Sequence, residues 1–126
     1  MKIILAPISL GELVDKITIL KIKISKLDTI KLALAKNELD LLNVLYQSLE
    51  VHVKDDLIKI LGDVNLKLWE IEDAIREKES SNSFDIEFIN LARSVYIEND
   101  KRAEIKNKIN ILYGSIIRDQ KSYKTY

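Results

Sequence analysis

Apolar residues recur along much of the chain at alternating spacings of three and four, which is the period of an amphipathic α-helix. The first repeat follows Ser9 and Glu12, whose S-x-x-E spacing is typical of a capping box. This repeat predicts a helix over residues 9–27. The second repeat is the most regular and predicts a helix over residues 28–53. Because the connection between them is very short, we expect the two helices to form an antiparallel hairpin.

Two further apolar repeats complete the helical pattern. The first predicts a helix over residues 55–79, with Gly62 inside it and Trp69 in the core. The second predicts helical structure over residues 84–118, where two apolar faces are roughly in phase. This phase favours one long helix, in which a kink near Asn99 is allowed, over two helices of which the second would begin at Asp100.

The ends of the chain do not follow the helical period. Residues 1–8 are mostly apolar and include Pro7, which disfavours helix at Ala6, so we predict an extended arm. Residues 119–126 form a polar tail. We therefore predict a single all-α domain, an antiparallel bundle of four or five helices with an extended apolar N-terminal arm. Because the bundle is small and the arm needs covering, we expect a homodimer.

Composition narrows the class of protein. Lys+Arg and Asp+Glu both total 20 of the 126 residues, so no net charge steers the protein to nucleic acid or to an anionic membrane. The absence of Cys excludes disulfides and thiolate metal sites, and the one histidine excludes a His-rich metal site. No run approaches the length of a membrane span. We expect a cytoplasmic protein without a resident cofactor.

An acidic segment in the third predicted helix is the first candidate for chemistry. Glu70 and Asp73 have the spacing of two carboxylates that could share Mg²⁺, an arrangement used by all-α nucleotide pyrophosphohydrolases. Those enzymes need a second acidic helix, and the best substitute here is the poor match at residues 98–100. The alternative is a solvated acidic face on which Glu72 pairs with Arg76.

The polar run from Glu98 to Arg102 interrupts the fourth apolar repeat where burial should be greatest. Three interpretations are open: exposed ion pairs such as Glu98–Arg102, a buried network against the acids of the third helix, and a ligand site in which Arg102 and Lys106 hold an anion. The polar residues that open the first helix are the last candidates. These are Glu12, Asp15 and Lys16. Acids at the start of a helix match its dipole, and Lys16 could face the bundle, so we expect a structural role for all three.

The chain resembles a family of small bacterial proteins of unknown function. The resemblance rests on Pro7–Ile24, Leu68–Glu79, Leu91–Asn110 and the tail from Lys121, where the family reads P-x-S-x-G-E-L-x-D-K-I-T-I-L, L-W-x-I-E-D-x-I-R, L-A-R-S-V-Y-x-x-N-D-x-R-A-x-x-K and K-S-Y. It implies no activity. It does imply that many polar positions in these segments belong to the family pattern, which favours a partly buried polar cluster over exposed pairs.

Two classes of function follow from these patterns. The first is a helical interaction or accessory module of bacterial or phage origin, with a possible protein partner and a partly buried polar cluster between the third and fourth helices. The second is a small enzyme or ligand binder, for example a Mg-dependent nucleotide pyrophosphohydrolase, with Glu70 and Asp73 as metal ligands. The candidate ligand-binding residues are Glu72, Asp73, Arg93, Tyr96, Asn99, Asp100, Arg102 and Lys106.

Overall fold

Four α-helices make up the fold in the computed structural model, which describes residues 3–116 and 124–125. They are α1 (Leu10–Lys26), α2 (Thr29–Ser48), α3 (Asp55–Ser80) and α4 (Ile86–Leu112). No strand occurs in the described residues. The predicted all-α bundle is therefore confirmed, with four helices.

Local sequence signals explain where the helices begin. The Ser9 hydroxyl accepts a hydrogen bond from the Glu12 amide at 3.0 Å, as the capping pattern predicts. Asp85 caps α4 in the same way, because its carboxylate accepts from the Phe88 amide at 3.0 Å. Asp85 also binds Lys78 at 2.9 Å, so the same side chain closes the turn between α3 and α4.

The connection from α2 to α3 departs from the prediction. α2 ends at Ser48 rather than near residue 53, and Glu50 adopts a positive φ of 54° that no helix can continue. The Tyr46 and Tyr113 hydroxyls each accept a hydrogen bond from a backbone amide of this connection, at 2.9 Å. Val53 remains buried although it lies outside the helix, which explains why the apolar pattern runs past the end of α2.

α4 is one continuous helix across the polar run, as the phase of its two apolar faces predicts. It ends at Leu112, shortly before Gly114 takes a φ of 68°. The predicted helical residues 117 and 118 lie outside the described residues, as does the predicted tail apart from residues 124–125.

α1, α3 and α4 each pack against the other two, whereas α2 packs against α1 alone among the described helices. The central apolar cluster lies at the end of the bundle where α1 begins. It consists of Val14, Val53, Leu57, Leu61 and Ile109. The apolar repeat of α2 faces α1. Of its residues Ala35 is buried against α1, and its neighbours in the repeat are half-buried.

α2 also carries apolar residues on the side away from α1. We call this side the outer face, and its residues are Ile30, Leu34, Leu41, Val44 and Leu45, which are 43–75% exposed. The arm is similarly uncovered, since Ile3, Ile4 and Leu5 are 70–91% exposed. The arm is non-helical over its described residues, as predicted, and it does not dock on its own bundle. No helix in the described part of the chain is long and apolar enough to cross a membrane.

Candidate functional site: a polar core between three helices

Asp15 of α1 is the centre of a buried polar core. Its side chain has 0% exposure. The carboxylate accepts from Nε of Arg102 on α4 at 3.0 Å and from Nη2 of the same guanidinium, so the pair is bidentate. It also accepts from Nδ2 of Asn65 on α3 at 2.8 Å. One side chain therefore joins the three mutually packed helices.

Asn65 and Thr18 satisfy the rest of this core. The second hydrogen of the Asn65 amide goes to Oγ1 of Thr18 at 2.9 Å. The Thr18 hydroxyl in turn donates to the backbone carbonyl of Asp15 at 2.8 Å. Both hydrogens of the Asn65 side-chain amide are thus used, and the Thr18 hydroxyl both donates and accepts. A charge buried this deeply is stable only with such donors around it.

Lys106 extends the polar core by one turn of α4. Its ammonium lies 2.5 Å from Oε2 of Glu12 and 3.9 Å from Oδ2 of Asp15, and its side chain is only 10% exposed. Two basic residues of α4 thus face two acidic residues of α1. These charges compensate each other inside the bundle.

The start of α1 sits directly against α4. The Gly11 amide donates to Oδ1 of Asn110 at 2.7 Å, and the Leu10 amide donates to the Ser115 hydroxyl at 3.3 Å. Together with the Ser9 cap, these bonds satisfy amides that a helix N-terminus otherwise leaves without partners. A Cβ on Gly11 would collide with the backbone carbonyl of Lys106. Glycine is therefore required here by the close approach of two backbones.

Glu98 of α4 is a second buried acid, and it forms ion pairs with two lysines. Its side chain is 4% exposed, and Oε1 lies 3.0 Å from the ammonium of Lys67 and 3.1 Å from that of Lys101. Desolvation is the largest single influence on its pKa and acts to raise it. The hydrogen bonds from Lys67 and Lys101 together outweigh that effect, so the pKa of Glu98 lies below its usual value.

The polar cluster on α4 is therefore partly buried, but its acidic partners are not those expected. They come from α1, whereas Glu70, Glu72 and Asp73 of α3 are exposed. The exposed Glu98–Arg102 pair, one of the three open interpretations, is wrong, because Glu98 binds two lysines and Arg102 binds Asp15. The Glu72–Arg76 pair is present at 3.7 Å on the surface. The structural role expected for Glu12 and Asp15 fits their place in the core.

A cleft of about 520 Å³ lies beside the polar core, between α1, α3 and α4. It gathers four of the candidate ligand-binding residues, namely Glu72, Asp73, Asn99 and Arg102. Its apolar walls are Ile19, Ile22, Leu68, Trp69 and Val95. Trp69 was expected in the core and is instead half-buried at this wall. The side chains of Asp73 and Asn99 form no hydrogen bond or ion pair within the described chain.

The other candidates lie outside the cleft. Arg93 and Tyr96 are exposed, Asp100 is half-buried, and Lys106 belongs to the polar core. Glu70 does not line the cleft either. Among the described residues, no group of three or more His, Asp or Glu side chains could hold a metal ion. The acids of α3 thus give the magnesium alternative no geometric support.

Sequence reasoning missed the neutral members of the core. Asn110 follows Arg102 and Lys106 at successive steps of four, so its position on their face was readable from spacing. Gly11, one of only three glycines, stands in the first turn of a helix, where a close approach was a reasonable inference. The sequence provides only a weak indication that Asn65 is buried, because it is a polar residue next to a position of the apolar repeat of α3. The outer face of α2 was readable as a second apolar repeat.

Comparison with known proteins agrees with the resemblance seen in the sequence. No solved structure matches the chain. A family described as "Family of unknown function (DUF6165)" matches residues 1–126. The protein, with its four-helix bundle and buried Asp15–Arg102 pair, belongs to this family, DUF6165.

Proposed function

We propose that this protein is a helical interaction module that works through protein–protein contacts made by the outer face of α2 and the arm. The observation that carries the proposal is that α2 is apolar on two sides, one packed on α1 and the other 43–75% exposed. Single exposed aliphatic residues are ordinary on a protein surface, but a group of them along one side of a helix is typical of an interaction site.

The polar core supports a structural role for the charged residues of α4. Arg102 and Lys106 both form ion pairs with acids of α1, at an interface where Asp15 has no exposed surface. A buried, satisfied network of this kind fixes which helix faces meet and in what register. The bundle thereby becomes a rigid support on which α2 is displayed.

The form of this function that we propose is a homodimer. A chain of 14.5 kDa that leaves a whole helix face and an apolar arm uncovered gains most from a second copy of itself. We also propose a bacterial or phage protein of the cytoplasm, on the cysteine-free composition and the family resemblance.

Light scattering coupled to size exclusion tests this function. We expect the wild-type mass to be twice 14.5 kDa at micromolar concentration, and Leu34→Glu, at a 67% exposed outer-face position, to shift it to the monomer. Gln47→Glu is the matched control, because it adds the same carboxylate at an exposed position of α2 outside the outer face. A monomeric wild type, or a Leu34→Glu variant as dimeric as the control, would overturn the proposal.

A ligand site in the cleft is the second candidate. Its volume of about 520 Å³ suits a small molecule. Trp69 offers an aromatic wall, and Asp73 and Asn99 are polar groups that bind nothing else in the described chain. A pocket with apolar walls and a few uncommitted polar groups is the usual form of such a site.

A thermal-shift screen distinguishes this candidate from a purely structural cleft. The screen uses nucleotides, sugar phosphates and carboxylates, each with and without Mg²⁺ or Mn²⁺. Asn99→Ala is the informative variant, since the Asn99 side chain forms no hydrogen bond or ion pair within the described chain, so its loss should leave the unliganded melting temperature near wild type. A compound that raises the melting temperature of the wild type but not of Asn99→Ala supports a site. Equal shifts in both proteins, or none in either, count against it.

A further inference from the structure

We infer that two copies of this chain pair through their α2 helices in an antiparallel arrangement about a twofold axis near Asn37. This inference rests on the proposed interaction function and names its partner. The key observation is the spacing of four outer-face residues. Ile30, Leu34, Leu41 and Leu45 are separated by four, seven and four positions, so the row reads the same in both directions about the midpoint of residues 37 and 38.

A row with this symmetry is complementary to itself when one copy is reversed. Ile30 then faces the partner's Leu45, and Leu34 faces the partner's Leu41, so the four side chains of this row meet one another, while Val44 lies beside the row opposite the partner's Lys31. A twofold interface needs this property, because the same surface must serve both copies. Opposed helix dipoles also favour the antiparallel arrangement over the parallel one.

Asn37 occupies the centre of the row and meets its own counterpart near the axis. It is exposed in the single chain and interrupts the apolar spacing. A polar amide at the middle of an apolar helix interface is known to fix register, because a shifted partner would cover it with aliphatic side chains. The central Asn therefore selects the symmetric register over a slipped one.

The arm supplies further area for the interface. A stable interface buries about 800 Å² on each partner, and the exposed arm adds apolar surface to that of the helix face. α2 runs back towards the start of α1, as shown by Tyr46 and Leu10, which pack against the same core cluster. The arm therefore leaves the bundle beside the C-terminal end of α2. In the antiparallel pair, that end meets the partner's Ile30, where the exposed Ile3, Ile4 and Leu5 can pack.

Disulfide trapping tests this arrangement cleanly because the chain has no cysteine of its own. Leu34→Cys and Leu41→Cys are prepared separately, and each is oxidised alone and as an equimolar mixture. In the antiparallel pair, position 34 lies opposite the partner's position 41. The two copies of position 34 are then seven residues apart along the helix axis, which is about 10 Å at 1.5 Å per residue. Disulfides do not span that distance.

We expect covalent dimer in the mixture and little from either variant alone. Ile30→Cys with Leu45→Cys repeats the test at a second pair of exposed positions, and circular dichroism checks that each variant folds. Efficient dimer from each variant alone would show a parallel pair and overturn the inference. A dimer seen by light scattering that gives no cross-link at either pair would overturn the antiparallel arrangement, and the mass of the Leu34→Glu variant would then decide separately whether the outer face of α2 is the interface. A monomeric wild type would overturn the proposed function as well.

Discussion

A carboxylate with no exposed surface is tolerable only if donors replace the water it has lost. Asp15 has three such donors, two from Arg102 and one from Asn65. The pair contributes less to net stability than its short contacts suggest, because desolvation of both charges offsets much of their attraction. Its greater effect is on specificity, since only one arrangement of α1, α3 and α4 satisfies it.

Asp15→Ala should therefore destabilise the fold by about 3 kcal/mol, the lower end of the range for breaking a buried pair, because Arg102 is 28% exposed and can reach water. The free energy of unfolding in urea measures the effect. Glu72→Ala breaks the exposed pair with Arg76 and should cost less than about 1 kcal/mol. Equal losses in the two variants would show that the Asp15 network adds nothing beyond a surface pair.

Glu98 makes a prediction about pH. Its folded pKa is lowered, so it binds a proton less readily in the folded chain than in the unfolded one. Its contribution is therefore complete above the ordinary carboxyl pKa and is lost as pH falls through the folded value. The stability difference between wild type and Glu98→Gln should shrink as pH is lowered from neutrality.

Urea denaturation of both proteins across that acidic range measures this difference. Glu70→Gln is the control, since Glu70 is exposed and its side chain binds no other side chain in the described chain, so this variant measures the loss of a surface carboxylate over the same range. A Glu98→Gln difference that is constant or grows on acidification would contradict the pairing with Lys67 and Lys101.

At the scale of the helices, the close contact of α1 with α4 depends on a missing side chain. Gly11→Ala places a Cβ against the Lys106 carbonyl and should destabilise by about 1–3 kcal/mol, the cost of overpacking. Gly62→Ala is the matched substitution inside α3, where nothing lies within 4 Å of the new Cβ, and should stabilise by up to about 1 kcal/mol. Thermal and urea unfolding of both variants should give opposite signs, and the same sign in both would show that helix propensity alone decides.

The helices were predictable from the sequence because apolar spacing is a local property. The Ser9 cap, the short α1–α2 connection and the continuity of α4 all follow from residues a few positions apart. The partners of Arg102 were not predictable in the same way, because Asp15 lies 87 positions away and the period of a helix shows only which residues share a face. Asp15 is an acid near the start of a helix, and the helix dipole alone was enough to explain such a residue. Its tertiary role was therefore not apparent from the sequence.

At the scale of the whole molecule, the bundle is asymmetric in what it covers. Three helices share a core fixed by charge pairs, while α2 is held on one side only. The sequence already indicated that α2 is apolar on two sides, since it has two apolar repeats. The stronger repeat, which faces α1, was enough by itself to predict the helix. An apolar repeat left over after the fold has formed is thus evidence about assembly rather than about folding.

The arm gives the clearest test of assembly, because Ile4 and Leu5 are 89% and 91% exposed and support nothing in the single chain. Ile4→Ser with Leu5→Ser should leave the stability of the monomer unchanged and weaken only the dimer. Because unfolding of a dimer releases two chains, the wild-type melting temperature should rise with protein concentration. The double variant should melt lower than wild type at concentrations where the wild type is dimeric, and the two melting temperatures should converge in solutions dilute enough for both proteins to be monomeric. Ala6→Ser, in the same exposed segment, is the control and should follow the wild-type curve. Coincident curves for wild type and the double variant would show that the arm does not contact the partner.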